Sequence, residues 1–146
     1  MIKITAERLA DINRHAEAEY PHECCGLLVG RIEDDGRTRV VVETHAVVNS
    51  WTDAEALDHR MQITPADYLR VEREFAPLGL GVVGNYHSHP DHPAVPSAFD
   101  LAHLAPWPTM SYIVVSVRAG RAVELRSWEL AAAGSRFSEE EIVKGN

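Results

Sequence analysis

The chain is short of cysteine, of positive charge and of long apolar runs, and each shortage removes a class of protein. Its two cysteines, Cys24 and Cys25, are neighbours, so they can build neither a disulfide framework nor a four-cysteine zinc cage. Fourteen Lys and Arg stand against 22 Asp and Glu, a net charge of -8. No basic run is present that could neutralise phosphates, which argues against nucleic acid as a partner. No stretch approaches the roughly 20 apolar residues of a membrane span. The first residues, Met1-Ile-Lys-Ile-Thr-Ala-Glu-Arg8, carry charge where a signal peptide would place its apolar core. No membrane association and a cytoplasmic location are therefore expected. There is no internal repeat and no low-complexity segment. At 146 residues, one domain over 1–146 is expected, with its core over about 1–130 and a tail over 131–146. That length supports a hydrophobic core without metal or disulfides.

Hydrophobic periodicity places the elements. Ile2-Lys-Ile4 reads as a short strand, and Thr5 stands where it can cap a helix whose apolar residues Leu9, Ile12, Ala16 and Tyr20 share one face, with Pro21 closing it. Cys25–Ile32 reads as a buried strand, Glu33–Gly36 as a turn, and Thr38–Val48 as the antiparallel partner. From Asn49 to His59 the pattern breaks into an exposed loop with one aromatic, Trp51. Arg60–Ile63 is expected to be a short strand. Thr64-Pro65-Ala-Asp67 then combines a cap, a first-position proline and an acid at the third position, and predicts a helix bearing Tyr68, Val71, Glu72 and Phe75 on one face. Leu78–Tyr86 is a glycine-rich buried strand whose glycines suggest close backbone packing, since no GxGxxG spacing occurs. Ser97 begins a two-turn helix ending before Pro106, and Met110–Val117 with Ala122–Leu130 forms another hairpin. Strands and helices in this order favour an α/β or α+β domain.

The stretch from Asn85 to Asp100 carries the chemistry. On a strand, side chains alternate faces, so His87 and His89 project to the same side while Ser88 faces away. Asp100 follows His89 after ten intervening residues that include Pro90, Pro93 and Pro96, which restrict the loop and let it return towards the histidines. Two imidazoles and one carboxylate would hold zinc with the fourth position open, the layout of a hydrolytic site. Rival patterns fail downstream. HxHxDH, as in the metallo-β-lactamase fold, needs further histidines, and only His103 follows His92. A cupin needs a glutamate soon after the second histidine, and none occurs before Glu124. A zinc deaminase needs a later PCxxC, whereas both cysteines lie upstream. Ser97-x-x-Asp100 also resembles a capping box, a role compatible with metal ligation because a carboxylate has two oxygens. His103 is the runner-up ligand, and His92 reads as a solvated loop residue. A hydrolase of this kind also needs a general base. Glu23, at the mouth of the Cys25 strand, is the candidate, beside the plainer reading of a solvated loop glutamate.

Glu23-x-x-Gly26, His87-Ser-His-Pro90 and Ser97-x-x-Asp100 together resemble the JAMM, or MPN-plus, metallopeptidases. The signature of that family is a glutamate, then HxHP, then SxxD, with ten residues between the second histidine and the aspartate. The likeness spans residues from about 20 to 130, including the Ile63-Thr-Pro65 helix start and the Val82-Val-Gly-Asn-Tyr-His87 approach. It implies an α/β (α+β) domain with a curved mixed β-sheet flanked by helices, the cytidine-deaminase-like architecture of the JAMM/MPN fold. It further implies one zinc ion (Zn2+) per chain on His87, His89 and Asp100, Glu23 as the acid/base, and Ser97 as a stabiliser of the oxyanion. The chain is similar to short bacterial members acting on ubiquitin-like sulfur-carrier proteins of the ThiS/MoaD type. The implied reaction is hydrolysis after a C-terminal Gly-Gly tail, with cysteine or an extension released. The tail is expected to add as a strand along a sheet edge, and the Asn49–His59 loop to grip the carrier. Other readings under the same resemblance are a deubiquitinase-like isopeptidase, a peptidase on unrelated peptides and a non-catalytic MPN scaffold. Monomer and homodimer are not separated by the sequence.

Overall fold

The computed structural model describes residues 1–103, 109–130 and 136–145, with the side chain of residue 103 outside the description. Among the described residues eight strands and three α-helices follow one another: β1 (Ile2–Thr5), α1 (Ala6–Glu19), β2 (Cys25–Glu33), β3 (Thr38–Val47), α2 (Pro65–Phe75), β4 (Gly81–Pro90), α3 (Ala98–His103), β5 (Ser111–Arg118), β6 (Arg121–Leu130), β7 (Phe137–Glu140) and β8 (Ile142–Gly145). They form one sheet in the order β7-β6-β5-β4-β2-β3-β1-β8. The β2–β3, β2–β4, β5–β6 and β6–β7 pairs are antiparallel, and β1–β3, β1–β8 and β4–β5 are parallel. The mixed, curved sheet with its helices is the expected fold class.

Local chemistry explains the helices. Thr5 accepts the Arg8 N–H at the start of α1, and Thr64 with Asp67 forms the capping box of α2 with Pro65 in its first turn. α1 lays Ile12 and Ala16 on one face of the sheet, against Ile2, Ile4, Leu28, Ile113 and Val115. α2 lays Val71, Tyr68 and Phe75 on the other face, against Leu27, Val29, Val82, Tyr112 and Val114. Glu72 of α2 also accepts the Val82 N–H at 2.7 Å, tying the helix to the start of β4. Three glycines are needed for closeness: a Cβ on Gly26 would collide with the Tyr86 ring, one on Gly30 with the Val40 carbonyl and one on Gly84 with the Ser111 carbonyl.

Two expectations are corrected. Arg60–Ile63 is not a strand: the Asn49 side chain takes the place of a ladder, its Oδ1 accepting the Gln62 N–H and its Nδ2 donating to the Arg60 carbonyl. The tail is not an appendage. Its residues 137–145 pair with β6 through β7 and with β1 through β8, with only Glu141 between, so the last strands join both edges and the sheet rolls round on itself. Smaller shifts are β3 ending at Val47, Leu78 lying in a short 3-10 turn (Ala76–Leu78), and β4 starting at Gly81. The expected helix end before Pro106, and residues 131–135 and 146 of the tail, lie outside the described residues.

Candidate active site

β4 runs through the middle of the sheet and carries His87 and His89 at its end, where both are buried. Register fixes which way they face. His87 stands opposite Cys25 of β2 and Val114 of β5, both members of the α2-side core, so the two histidines emerge on that face. Ser88 points the other way, and its Oγ accepts the Cys24 N–H at 2.8 Å. The alternation read from the sequence holds at these three positions.

The loop after His89 returns through contacts the sequence did not advertise. Asp91 adopts a left-handed backbone, φ 58°, donates its N–H to the Val117 carbonyl at 2.6 Å, and accepts from the Ala119 N–H and the Tyr20 hydroxyl. Ala94 is buried, with its carbonyl accepting the Trp128 indole N–H at 3.0 Å. Short loop residues thus clamp the chain on both sides of the turn and bring α3 back over β4. There Ser97 and Asp100 make the reciprocal capping contacts: Ser97 Oγ accepts the Asp100 N–H at 3.0 Å, and Asp100 Oδ2 accepts the Ser97 N–H at 2.8 Å.

That return places three ligand-capable atoms together. His87 Nε2 and His89 Nε2 are 3.1 Å apart, and Asp100 Oδ2 lies 3.2 Å from the first and 3.1 Å from the second. Bonds of about 2.0–2.1 Å to a tetrahedral ion would put neighbouring ligand atoms about 3.3–3.4 Å apart, so the triangle fits one ion. The donor chemistry fits as well. His89 Nδ1 lies 2.9 Å from the Pro93 carbonyl, which can only accept, so Nδ1 carries the hydrogen and a neutral ring offers a lone pair at Nε2. Burial opposes charge on Asp100, yet His87, His89 and the Ser97 N–H more than offset it and hold its pKa far below the usual carboxylate range. Burial likewise opposes charge on His89, and the Asp100 contact outweighs it and raises its pKa.

Glu23 stands beside the triangle. It is buried, and it offers a carboxylate oxygen within 4.8 Å of both histidine nitrogens. Its Oε1 is shielded from solvent with no hydrogen-bond partner among the described residues. Burial, partly offset by the two histidines, raises its pKa. Either carboxylate could complete a set with the imidazoles; Asp100 is the nearer and touches both. The solvated-loop reading of Glu23 is excluded by its burial. Its backbone is held by its own N–H to the Leu57 carbonyl and by Asn49 Nδ2 to its carbonyl at 3.2 Å. Asn49 uses all four of its hydrogen-bonding positions, two to accept from Trp51 and Gln62 and two to donate to Glu23 and Arg60.

These groups open into a cavity of about 340 Å³ lined by Glu23, His59, Arg60, His89, His92, Pro93, Val95 and Ser97. His92 is exposed, as expected of a loop residue, though it lines the cavity rim. His103, the runner-up ligand, has its side chain outside the described residues. Trp51 is half-buried and meets Phe99 edge-on at 5.3 Å, so it packs over α3 instead of standing free. Sequence reading missed Asn49 as a clamp and Arg60 as a wall of the cavity. Nothing in the local pattern marks either, because Arg60 falls in a stretch whose alternation imitates a strand.

Comparison with known proteins gives the family and the fold. Residues 5–131 match the family model of prokaryotic homologs of the JAB domain. A desampylase of Haloferax volcanii is 31% identical over 108 residues, covering 74% of this chain and 72% of the relative. A CysO-cysteine peptidase of Mycobacterium tuberculosis is 29% identical over 130 residues, covering 89% of this chain and 83% of the relative. The crystal structure of a JAB1/MPN domain protein from Archaeoglobus fulgidus superposes with a TM-score of 0.57 at 21% identity, over 97% of this chain and 99% of that one, a likeness of fold. No helix among the described residues is long and apolar enough to cross a membrane.

Proposed function

The chain belongs to the family of prokaryotic JAB-domain homologs, and from that premise we propose that it is a zinc peptidase acting on a ubiquitin-like sulfur-carrier protein. It hydrolyses the amide bond after the carrier's C-terminal Gly-Gly tail and releases the residue beyond it, cysteine in the simplest case. The observation that carries this reading is the 3.1–3.2 Å triangle of His87, His89 and Asp100 beside a buried, unpartnered Glu23 carboxylate oxygen. Relatives named desampylase and CysO-cysteine peptidase support the substrate class.

Zinc held by these three side chains would supply Lewis acidity, polarising a carbonyl and lowering the pKa of water to about 7. The chain's own residues do the rest. Glu23 takes a proton from the attacking water as its oxygen bonds to the scissile carbon, and returns it to the departing nitrogen as the C–N bond breaks. A desolvated carboxylate with a raised pKa suits both halves of that exchange. The Ser97 hydroxyl already accepts the Asp100 N–H, so its own hydrogen is left to donate to oxygen charge developing on the substrate. Pro93 keeps His89 in the required tautomer.

β4 has β2 on one side and β5 on the other, so an extended tail finds no open ladder at His87. The tail instead takes its main-chain partners from the Asn49–His59 segment, with its glycines admitting close backbone approach. The test is mass spectrometry of the zinc-loaded protein with a carrier ending Gly-Gly-Cys. Release of cysteine is expected. Cleavage of unrelated peptides with the carrier untouched would overturn the substrate class, and a protein inert on every amide would overturn the enzyme.

A further inference from the structure

Arg60 is the one Lys or Arg among the residues lining the cavity, which it shares with Glu23, His89 and Ser97. In a chain with 22 acids and 14 basic residues, a cation beside buried carboxylates is expected to pair with one of them. Arg60 makes no ion pair among the described residues. Its guanidinium instead lies over the Phe99 ring, 4.1 Å from the centroid, and Nη1 donates to the neighbouring His59 carbonyl at 2.8 Å. Its backbone is fixed as well, because the Arg60 carbonyl accepts from Asn49 Nδ2, the same side chain that ties down Glu23. Stacking and one hydrogen bond hold the side chain, and a second anchors its backbone, while Nε and Nη2 meet no partner among the described residues. A preorganised, incompletely used guanidinium is suited to recognising a carboxylate.

We propose that Arg60 binds the free α-carboxylate of the residue released from the carrier. This rests on the peptidase reading above and narrows its substrate class: the bond cut joins the tail to a single terminal amino acid. Geometry supplies the reason. The carboxylate of a terminal residue lies one residue beyond the scissile carbonyl, a step on the order of the 3.8 Å Cα spacing, and a cavity of about 340 Å³ suits a ligand of one or two residues. An isopeptide-linked protein, or a long extension, presents no such charge there, and it would have to displace water from the guanidinium without replacing its hydrogen bonds.

The experiment compares two forms of one carrier ending Gly-Gly-Cys, the free acid and the C-terminal carboxamide, with the zinc-loaded wild type, Arg60→Ala and Arg60→Lys. A charge-assisted contact of this kind is worth on the order of tenfold to a hundredfold. The wild type should therefore favour the acid over the amide by that factor in kcat/KM. In Arg60→Ala the ratio should fall close to one, and Arg60→Lys, which keeps the charge without the fork, should lie between. Equal cleavage of acid and amide by the wild type overturns the inference while the peptidase reading stands. So does an Arg60→Ala enzyme that loses activity on both while keeping the ratio, since Arg60 would then only brace Phe99. A wild type inert on both forms overturns the peptidase reading itself.

Discussion

Two clusters of buried charge lie in the same sheet, and the chain neutralises only one of them. In the first, Arg39 of β3 crosses the roll of the sheet to donate to Glu129 at 2.7 Å, to Glu140 at 2.6 Å and to Ser111 Oγ at 3.0 Å, with Ser127 donating to the other Glu140 oxygen. The side chains of Arg39 and Glu140 are 2% and 1% exposed. Every strong group there has its complement within the chain, so the cluster closes the fold and has no capacity left for chemistry. In the second, two imidazole nitrogens and a carboxylate oxygen face one another at hydrogen-bond distance, with Glu23 behind them unpartnered on one oxygen. Lone pairs gathered without a cation in contact are costly to bury. On the function proposed above, they are kept for an ion and a substrate from outside.

The comparison is broken most directly at the metal triangle. His89→Ala removes one of three ligands, and zinc content measured by elemental analysis should fall from about one per chain to near zero, with turnover lost alongside. Equal zinc in wild type and variant would mean that the triangle is not the site. Next in size is Glu23→Gln, which keeps shape but cannot accept a proton: turnover should fall about 10²–10⁴-fold with zinc retained. Loss of zinc in this variant would instead make Glu23 a ligand and return Asp100 to capping alone.

The two clusters also differ in how far they could be read in advance. His87 and His89 are two residues apart on one strand, Asp100 follows in a cap pattern, and the prolines mark the return, so spacing alone assembled the triangle. Glu23 lies far upstream, and only the family resemblance tied it to the histidines before register did. Arg39 and Glu140 are 101 positions apart, joined by strand pairing that no local window reveals. The same holds for β7 and β8: Ser138-Glu-Glu-Glu141 looks like a solvated tail because those strands earn their place through backbone pairing at the two sheet edges, not through apolar alternation. Arg60–Ile63 erred in the opposite direction. Met61 and Ile63 alternate like a strand, yet Asn49 satisfies the backbone there with a side chain.

A smaller loss sharpens the contrast from the other side. Arg39→Met leaves Glu129 without that partner and Glu140 with the Met1 ammonium as its remaining ion pair, which should cost up to about 3–5 kcal/mol, read as a lower midpoint in urea unfolding. Adding Glu140→Leu should recover part of that, since one of the two carboxylates that lost Arg39 is then removed. Zinc bound per folded chain should be unchanged in both. If Arg39→Met released zinc from protein that is still folded, the two clusters would be one coupled system, and the division between closure and chemistry would fail.

The smallest effect falls on the residue that belongs to both kinds of work. Ser97 accepts the Asp100 N–H as a helix cap and lines the cavity beside Glu23 and His89. As a cap, its loss in Ser97→Ala should cost about 1 kcal/mol of stability, and in Ser97→Gly only a few tenths. As a donor to developing oxygen charge, its loss should slow turnover equally in the two variants, by less than Glu23→Gln does, because neither has a hydroxyl. The Ser97 N–H bond to Asp100 Oδ2 is made by backbone, so zinc should stay in place throughout. Unfolding midpoints that separate alanine from glycine, with turnover that does not, assign the hydroxyl a part in the reaction. Turnover recovering in the glycine variant alongside stability would reduce Ser97 to a cap, and the oxyanion would then need another donor.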